Sequence, residues 1–127
     1  MEYQLTRGCA LVLAGPQGCG KTTLARKIAE AHGTYREINA TDLETPFHLG
    51  NALVDEPRTL IVEGIPTHPE TMARVKAMLT SSSGLHVLEE KGIRRMVKAP
   101  NFIFCTGDAN PLKLGPDDRR FRVVRLG

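Results

Sequence analysis

Nine consecutive residues, Gly15-Pro16-Gln17-Gly18-Cys19-Gly20-Lys21-Thr22-Thr23, carry the strongest chemical signal in the chain. They fit G-x-x-x-x-G-K-[ST], with an apolar strand-like run before and a helix-like run after, the context that makes this pattern a phosphate-binding loop. Glycines at 15, 18 and 20 free the backbone to turn its N–H groups toward phosphate oxygens. The positive end of the following helix adds to the attraction. Lys21 is placed to reach the β- and γ-phosphates, and the Thr22 hydroxyl to ligate Mg2+, so the loop predicts ATP and Mg2+ as cofactors. Cys19, inside the loop, is read either as a small filler or as an oxidisable thiol.

A phosphate loop alone does not say what is done with the nucleotide. Metal-assisted hydrolysis also needs a carboxylate at the end of a neighbouring strand. Glu63 is the acid that ends the run Thr59-Leu60-Ile61-Val62-Glu63. It is expected to act as general base or water-positioning group, with a metal role also open. Further on, Lys91, Arg94, Arg95 and Lys98 place four cations within eight residues. Such a cluster suits the backbone of nucleic acid without reading its sequence. His86, just before it, either adds a contact or is a solvated strand residue. Arg119 and Arg120 precede Phe121, next to Asp117 and Asp118, with which they could form surface ion pairs of little energetic weight.

The elements that must position these groups alternate. Cys9 to Ala14 reads as a strand buried on both faces. Thr22 to His32 follows with Leu24, Ala25, Ile28 and Ala31 at helical spacing and Gly33 as a stop. Thr34 to Ala40 is a short second strand. Pro46 to Glu56 is a second helix in which Phe47, Leu49, Ala52 and Leu53 are expected to face the core, ended by Pro57. Thr59 to Val62 is a third strand, and 69–80 a third helix opened by Pro69. The stretch 85–98 divides around Glu90-Lys91-Gly92 into two strand-like halves, predicting a hairpin that projects from the fold. Asn101 to Thr106 and Phe121 to Leu126 complete the strands. This order predicts an α/β sandwich around a largely parallel sheet.

Composition sets the limits. At 127 residues the chain is expected to form one domain, 1–127, without an auxiliary DNA-binding or collar domain. Hydrophobic residues at 41% and charged residues at 24% exclude the disordered and membrane classes. The start shows no signal-peptide pattern, so a cytoplasmic location and no membrane partner are expected. Cys9, Cys19 and Cys105 have no metal-binding spacing and are read as free thiols. A net charge of +3 does not by itself identify a nucleic-acid binder.

From Gly15 to Leu126 the ordered set of motifs resembles the AAA+-type P-loop ATPase core of superfamily 3 helicases, the viral and phage replication helicases that include parvovirus Rep. The resemblance rests on GPQGCGKTT, TLIVEG about forty residues on, the lysine-bearing hairpin LHVLEEKGIRRMVK, the strand NFIFCT followed by GDANP, and DDRRFRVVRL. It implies a three-layer P-loop NTPase with a five-stranded, largely parallel sheet and an inserted β-hairpin. It also implies that Lys91 touches DNA in a central pore, and that a polar sensor of the γ-phosphate lies at Asp108 or Asn110. An arginine finger, Arg120 or alternatively Arg119, would reach the nucleotide of the neighbouring subunit in a hexameric ring. Two departures stand out: the second acid usual beside Glu63 is absent, and the usual Thr-x-Asn reads Thr106-Gly107-Asp108.

The resulting expectation is a Mg-dependent, oligomeric ATPase motor acting on single-stranded or duplex DNA in viral, phage or mobile-element replication, aided by a partner protein. The alternatives are a P-loop kinase for a nucleoside or metabolite, and a nucleotide-binding interaction module with little turnover.

Overall fold

A computed structural model describes residues 5–6, 8–108 and 119–127. Its frame is a five-stranded parallel sheet built from β1 (Ala10–Ala14), β2 (Tyr35–Asn39), β3 (Thr59–Glu63), β6 (Asn101–Thr106) and β7 (Phe121–Arg125), in the order β2-β3-β6-β1-β7. The three central strands are unbroken apolar runs because helices cover both faces, which leaves no solvent side on which alternate residues could be polar.

Side-chain alternation divides the core in two. Leu11 and Leu13 of β1, with Ile61, Ile103 and Cys105, meet Ala25, Ile28 and Ala29 of α1 (Lys21–Glu30). Ala10 and Val12, with Leu60, Val62, Phe102 and Phe104, face the opposite way. There they pack on α2 (Pro46–Ala52), α3 (Pro69–Leu79) and the hairpin formed by β4 (Leu85–Glu90) and β5 (Ile93–Lys98). Phe102 and Phe104 stack on that face with ring centroids 5.7 Å apart. The result is the expected three-layer α/β sandwich. Among the described residues no helix is long and apolar enough to cross a membrane.

Three local expectations are corrected. First, α2 ends at Ala52 and does not reach Glu56. Leu53 already leaves helical geometry, and Glu56 adopts φ 52, a left-handed conformation no helix can pass through. Second, Phe47 does not enter the core: it is 59% exposed, while Leu49 and Ala52 are buried. Third, the hairpin does not project. It forms its own two-stranded sheet, but Leu88 and Val97 are buried in the same core as α2 and α3. An additional 3-10 segment, Ala40–Leu43, turns the chain from β2 toward α2, with the Asn39 N–H donating to the Asp42 carboxylate at 3.0 Å.

Candidate active site and the basic hairpin

Parallel strands bring their carboxyl ends to one edge, and in this sheet the ends of the adjacent strands β3, β6 and β1 open a cleft of about 620 Å³. Gln17, Gly18, Gly20 and Lys21–Thr23 line it from the loop and α1, Glu63 and Gly64 from β3, and Cys105 to Gly107 from β6. Gly18 and Gly20 have φ of 83 and 91, and Gly20 caps α1 with no side-chain acceptor on the first-turn N–H groups. No acid lies in that first turn, so the positive helix end is left for an anion. Gly15, Pro16 and Cys19 complete the loop behind the cleft: the Lys21 ammonium donates to the carbonyls of Gly15 at 2.6 Å and Pro16 at 3.0 Å, and lies 4.0 Å from the Cys19 sulfur.

Glu63 stands at the exposed end of β3, where its Oε1 accepts the Thr22 hydroxyl proton at 2.8 Å. A hydroxyl and a carboxylate oxygen this close form a pair of hard donors suited to Mg2+, an ion that keeps several waters and relies on substrate phosphates. Among the described residues no group of three or more His, Cys, Asp or Glu side chains could hold a metal ion. The Cys105 thiol is pushed up to about 12, mainly by burial and next by the Glu63 charge, so it stays protonated and lends the cleft no thiolate. The sequence marks Cys105 only as a free thiol and Thr106 only as the start of Thr106-Gly107-Asp108, and neither as a lining residue of the cleft. Their signal was positional, since they end a buried strand that neighbours the loop strand.

Asp108 follows this strand, exposed, with its N–H donating to the Thr106 hydroxyl at 3.2 Å. Asn110, Asp117 and Asp118 lie outside the described residues. Arg119 and Arg120 sit at the opposite edge of the sheet. The Ala10 N–H donates to the Arg120 carbonyl at 2.6 Å, and Ala10 pairs with Phe121, so the arginines stand by the start of β1 while the phosphate loop leaves its end. That is about 13 Å of strand away.

The hairpin turns at Lys91-Gly92, whose φ values of 51 and 79 are those of a two-residue type I′ turn. Register places Leu85, Lys98, Val87, Met96, Glu89 and Arg94 on the outer face. The inner face carries His86, Val97, Leu88, Arg95, Glu90 and Ile93. The four cations predicted as one cluster are therefore divided. Lys91 stands exposed at the tip; Arg94 lies 3.7 Å from Glu89 and Lys98 3.5 Å from Glu56, all exposed. Arg95 turns inward and donates to the Gly50 carbonyl at 3.2 Å. His86 is half-buried on the same inner face, where burial, and then the nearby Arg74 guanidinium, lower its pKa below the ordinary imidazole value.

The family model for the ATPase family associated with various cellular activities (AAA) matches residues 11–95. In sequence, the chain is 33% identical over 93 residues to the replication factor C large subunit of Pyrobaculum aerophilum, covering 72% of this chain and 20% of that protein. It is 31% identical over 81 residues to the ATP-dependent protease ATPase subunit HslU of Methylorubrum extorquens, covering 62% and 18%. In structure, it is similar to the NrS-1 C-terminal region, with a TM-score of 0.66 and 24% identity over 98% of this chain and 30% of that one. A Thermotoga maritima RuvB mutant superposes with a TM-score of 0.64 and 19% identity over 94% of this chain and 38% of its own. The chain thus spans about a fifth of the length of the relatives it matches in sequence.

Proposed function

The chain belongs to the AAA family of ATPases, and from that premise we propose that it works as an oligomeric, Mg2+-dependent ATPase motor on DNA, of the superfamily 3 helicase type. In this reading the backbone of Gly15 to Gly20 and the α1 terminus hold the triphosphate, with Lys21 moving from its loop carbonyls to the β- and γ-oxygens. Thr22 ligates the metal and Glu63 orients the Thr22 hydroxyl and the waters around it. Mg2+ supplies charge neutralisation and Lewis-acid polarisation of the γ-phosphate. Asp108, just past the end of β6, or Asn110 reads the γ-phosphate. Lys91, with Arg94 and Lys98 behind it, neutralises DNA phosphates.

The observation that carries the motor reading is the position of Arg119 and Arg120, at the sheet edge away from the cleft of their own chain. A finger there serves a neighbour's nucleotide, which calls for a ring, hexameric by resemblance, in the cytoplasm of the cell in which it replicates DNA. The sequence likeness to a replication factor C large subunit supports a role in replication. One observation favours the binding-module reading as the second choice: Glu63 is the only carboxylate lining the cleft among the described residues, and it already holds Thr22.

Steady-state hydrolysis over a range of protein concentrations, with and without single-stranded DNA, tests this. The rate per subunit is expected to rise with concentration and respond to DNA, with Lys21→Ala as the inactive reference. Arg120→Ala is expected to lower turnover by about a thousandfold or more. Mixing it with Lys21→Ala should restore part of the loss, because intact cleft and intact finger then meet across an interface. A concentration-independent, DNA-insensitive rate would remove the motor reading, and nucleotide binding without turnover in every oligomeric state would select the module.

A further inference from the structure

Two polar contacts fasten the inner face of the hairpin to α2, one near each end of the helix. Near its N-terminal end, the Phe47 N–H donates to Glu90 Oε2 at 3.1 Å. Toward its C-terminal end, Arg95 Nη2 donates to the Gly50 carbonyl at 3.2 Å. The signs match the helix: a carboxylate meets an N–H the first turn cannot use, and a guanidinium meets a carbonyl of the last turn. Between these contacts Leu88 and Val97 are buried beside Leu49, Ala52 and Leu53. Gly50 is itself buried, and a Cβ built there would lie 2.6 Å from Arg95 Nη1 and 3.0 Å from Cζ. A residue that weakens a helix interior is thus what lets the guanidinium lie against the backbone.

We infer that Arg95 is a positioning residue that locks β4–β5 to α2 as one rigid unit and so sets where Lys91 stands, and that it makes no nucleic-acid contact of its own. This rests on the DNA-motor reading for what Lys91 does, but not for the lock. The unit has a route to the nucleotide cleft. The 3-10 segment leading into α2 begins at Ala40, whose Cβ would lie 3.5 Å from a Cβ at Gly64, the cleft residue directly after Glu63. A shift of the β3 terminus that moves α2 therefore moves the hairpin tip with it.

The lock is tested by amide hydrogen exchange on the 127-residue chain and its Arg95→Ala, Arg95→Lys and Gly50→Ala variants. Exchange across 46–52 and 85–98 is expected to rise together, by about tenfold or more, in Arg95→Ala and Gly50→Ala, while β1, β3 and β6 stay protected. Arg95→Lys, which keeps one donor for the Gly50 carbonyl, should recover part of the protection and decides the matter if Gly50→Ala fails to fold. Unchanged exchange in Arg95→Ala overturns the lock.

The contact question is settled by the salt dependence of single-stranded DNA binding. Lys91→Ala is expected to reduce the slope of log K against log salt by about one. Adding Arg95→Ala to Lys91→Ala should reduce it no further, because Arg95 acts through Lys91. A further drop of about one would make Arg95 an independent phosphate contact and overturn the proposal. Should the unaltered chain bind no DNA, the functional reading falls and the exchange result alone decides the lock.

Discussion

Gly15→Ala is expected to damage nucleotide binding more than any other single glycine change in the loop, and for a reason that differs from its neighbours'. A Cβ on Gly15 would stand 2.6 Å from the carbonyl oxygen of Leu126 and 2.9 Å from the Cys19 sulfur. The sulfur can rotate away; the carbonyl cannot, because Leu126 is held to the end of β1 by its N–H donating to Ala14 O at 2.7 Å. Restoring ordinary contact requires the loop to retreat by about 0.8 Å. Phosphate recognition depends on N–H groups aimed within tenths of an ångström, and misplacement by about 1 Å costs on the order of a hundredfold. The Kd for ATP with Mg2+ is thus expected to rise about 30- to 100-fold, or about 2–3 kcal/mol. Gly18 gives the contrast. It has φ 83 but nothing within 4 Å of a built Cβ, so Gly18→Ala meets only the left-handed backbone penalty of about 1–2 kcal/mol. Titration calorimetry of both variants, with thermal melts to confirm folding, gives the comparison. Gly15→Ala binding ATP within about threefold of the unaltered chain, or better than Gly18→Ala, would refute the argument from close packing behind the loop.

Two further outcomes follow from buried groups. The Thr59 hydroxyl is buried without a hydrogen-bond partner, so Thr59→Val, which keeps the shape, is expected to stabilise the fold by about 1–2 kcal/mol in urea titration; a destabilised variant would mean the hydroxyl is satisfied after all. Burial raises the Cys105 thiol from 9.0 to about 12, so in the folded state it retains a proton that the unfolded chain releases. Its contribution to stability is complete below pH 9 and is lost as pH climbs toward about 12. Thiol alkylation at pH 8 should accordingly spare Cys105 until denaturant is added, and its labelling in the native protein would contradict the burial argument.

Legibility in the sequence followed exposure. Runs such as Leu11-Val12-Leu13 and Phe102-Ile103-Phe104 announce themselves because a strand covered on both faces has no polar position to interrupt it. The same rule puts Glu63 at the cleft, since a polar residue that ends a buried parallel strand emerges at the carboxyl edge, where the phosphate loop also emerges. Elements with only one covered face were harder to read. In α2, Phe47, Leu49, Ala52 and Leu53 are all apolar at near-helical spacing, yet Phe47 stays outside because the first helical turn faces the hairpin tip and not the sheet.

The hairpin shows why counting charges along a chain misjudges a surface. Lys91, Arg94, Arg95 and Lys98 are close in sequence, but a strand sends successive side chains to opposite faces. Arg94 therefore joins Lys98 outside, and Arg95 must go inside with Leu88 and Val97. A guanidinium on an inner face is costly unless its donors are met. The chain meets that demand on a different element, with a glycine at position 50 whose carbonyl is approachable. Neither residue explains itself locally: Gly50 weakens its helix and Arg95 departs from the apolar pattern of its face. Taken together they account for each other, and they turn what reads as a loose basic arm into a fixed mount with a single lysine at its tip.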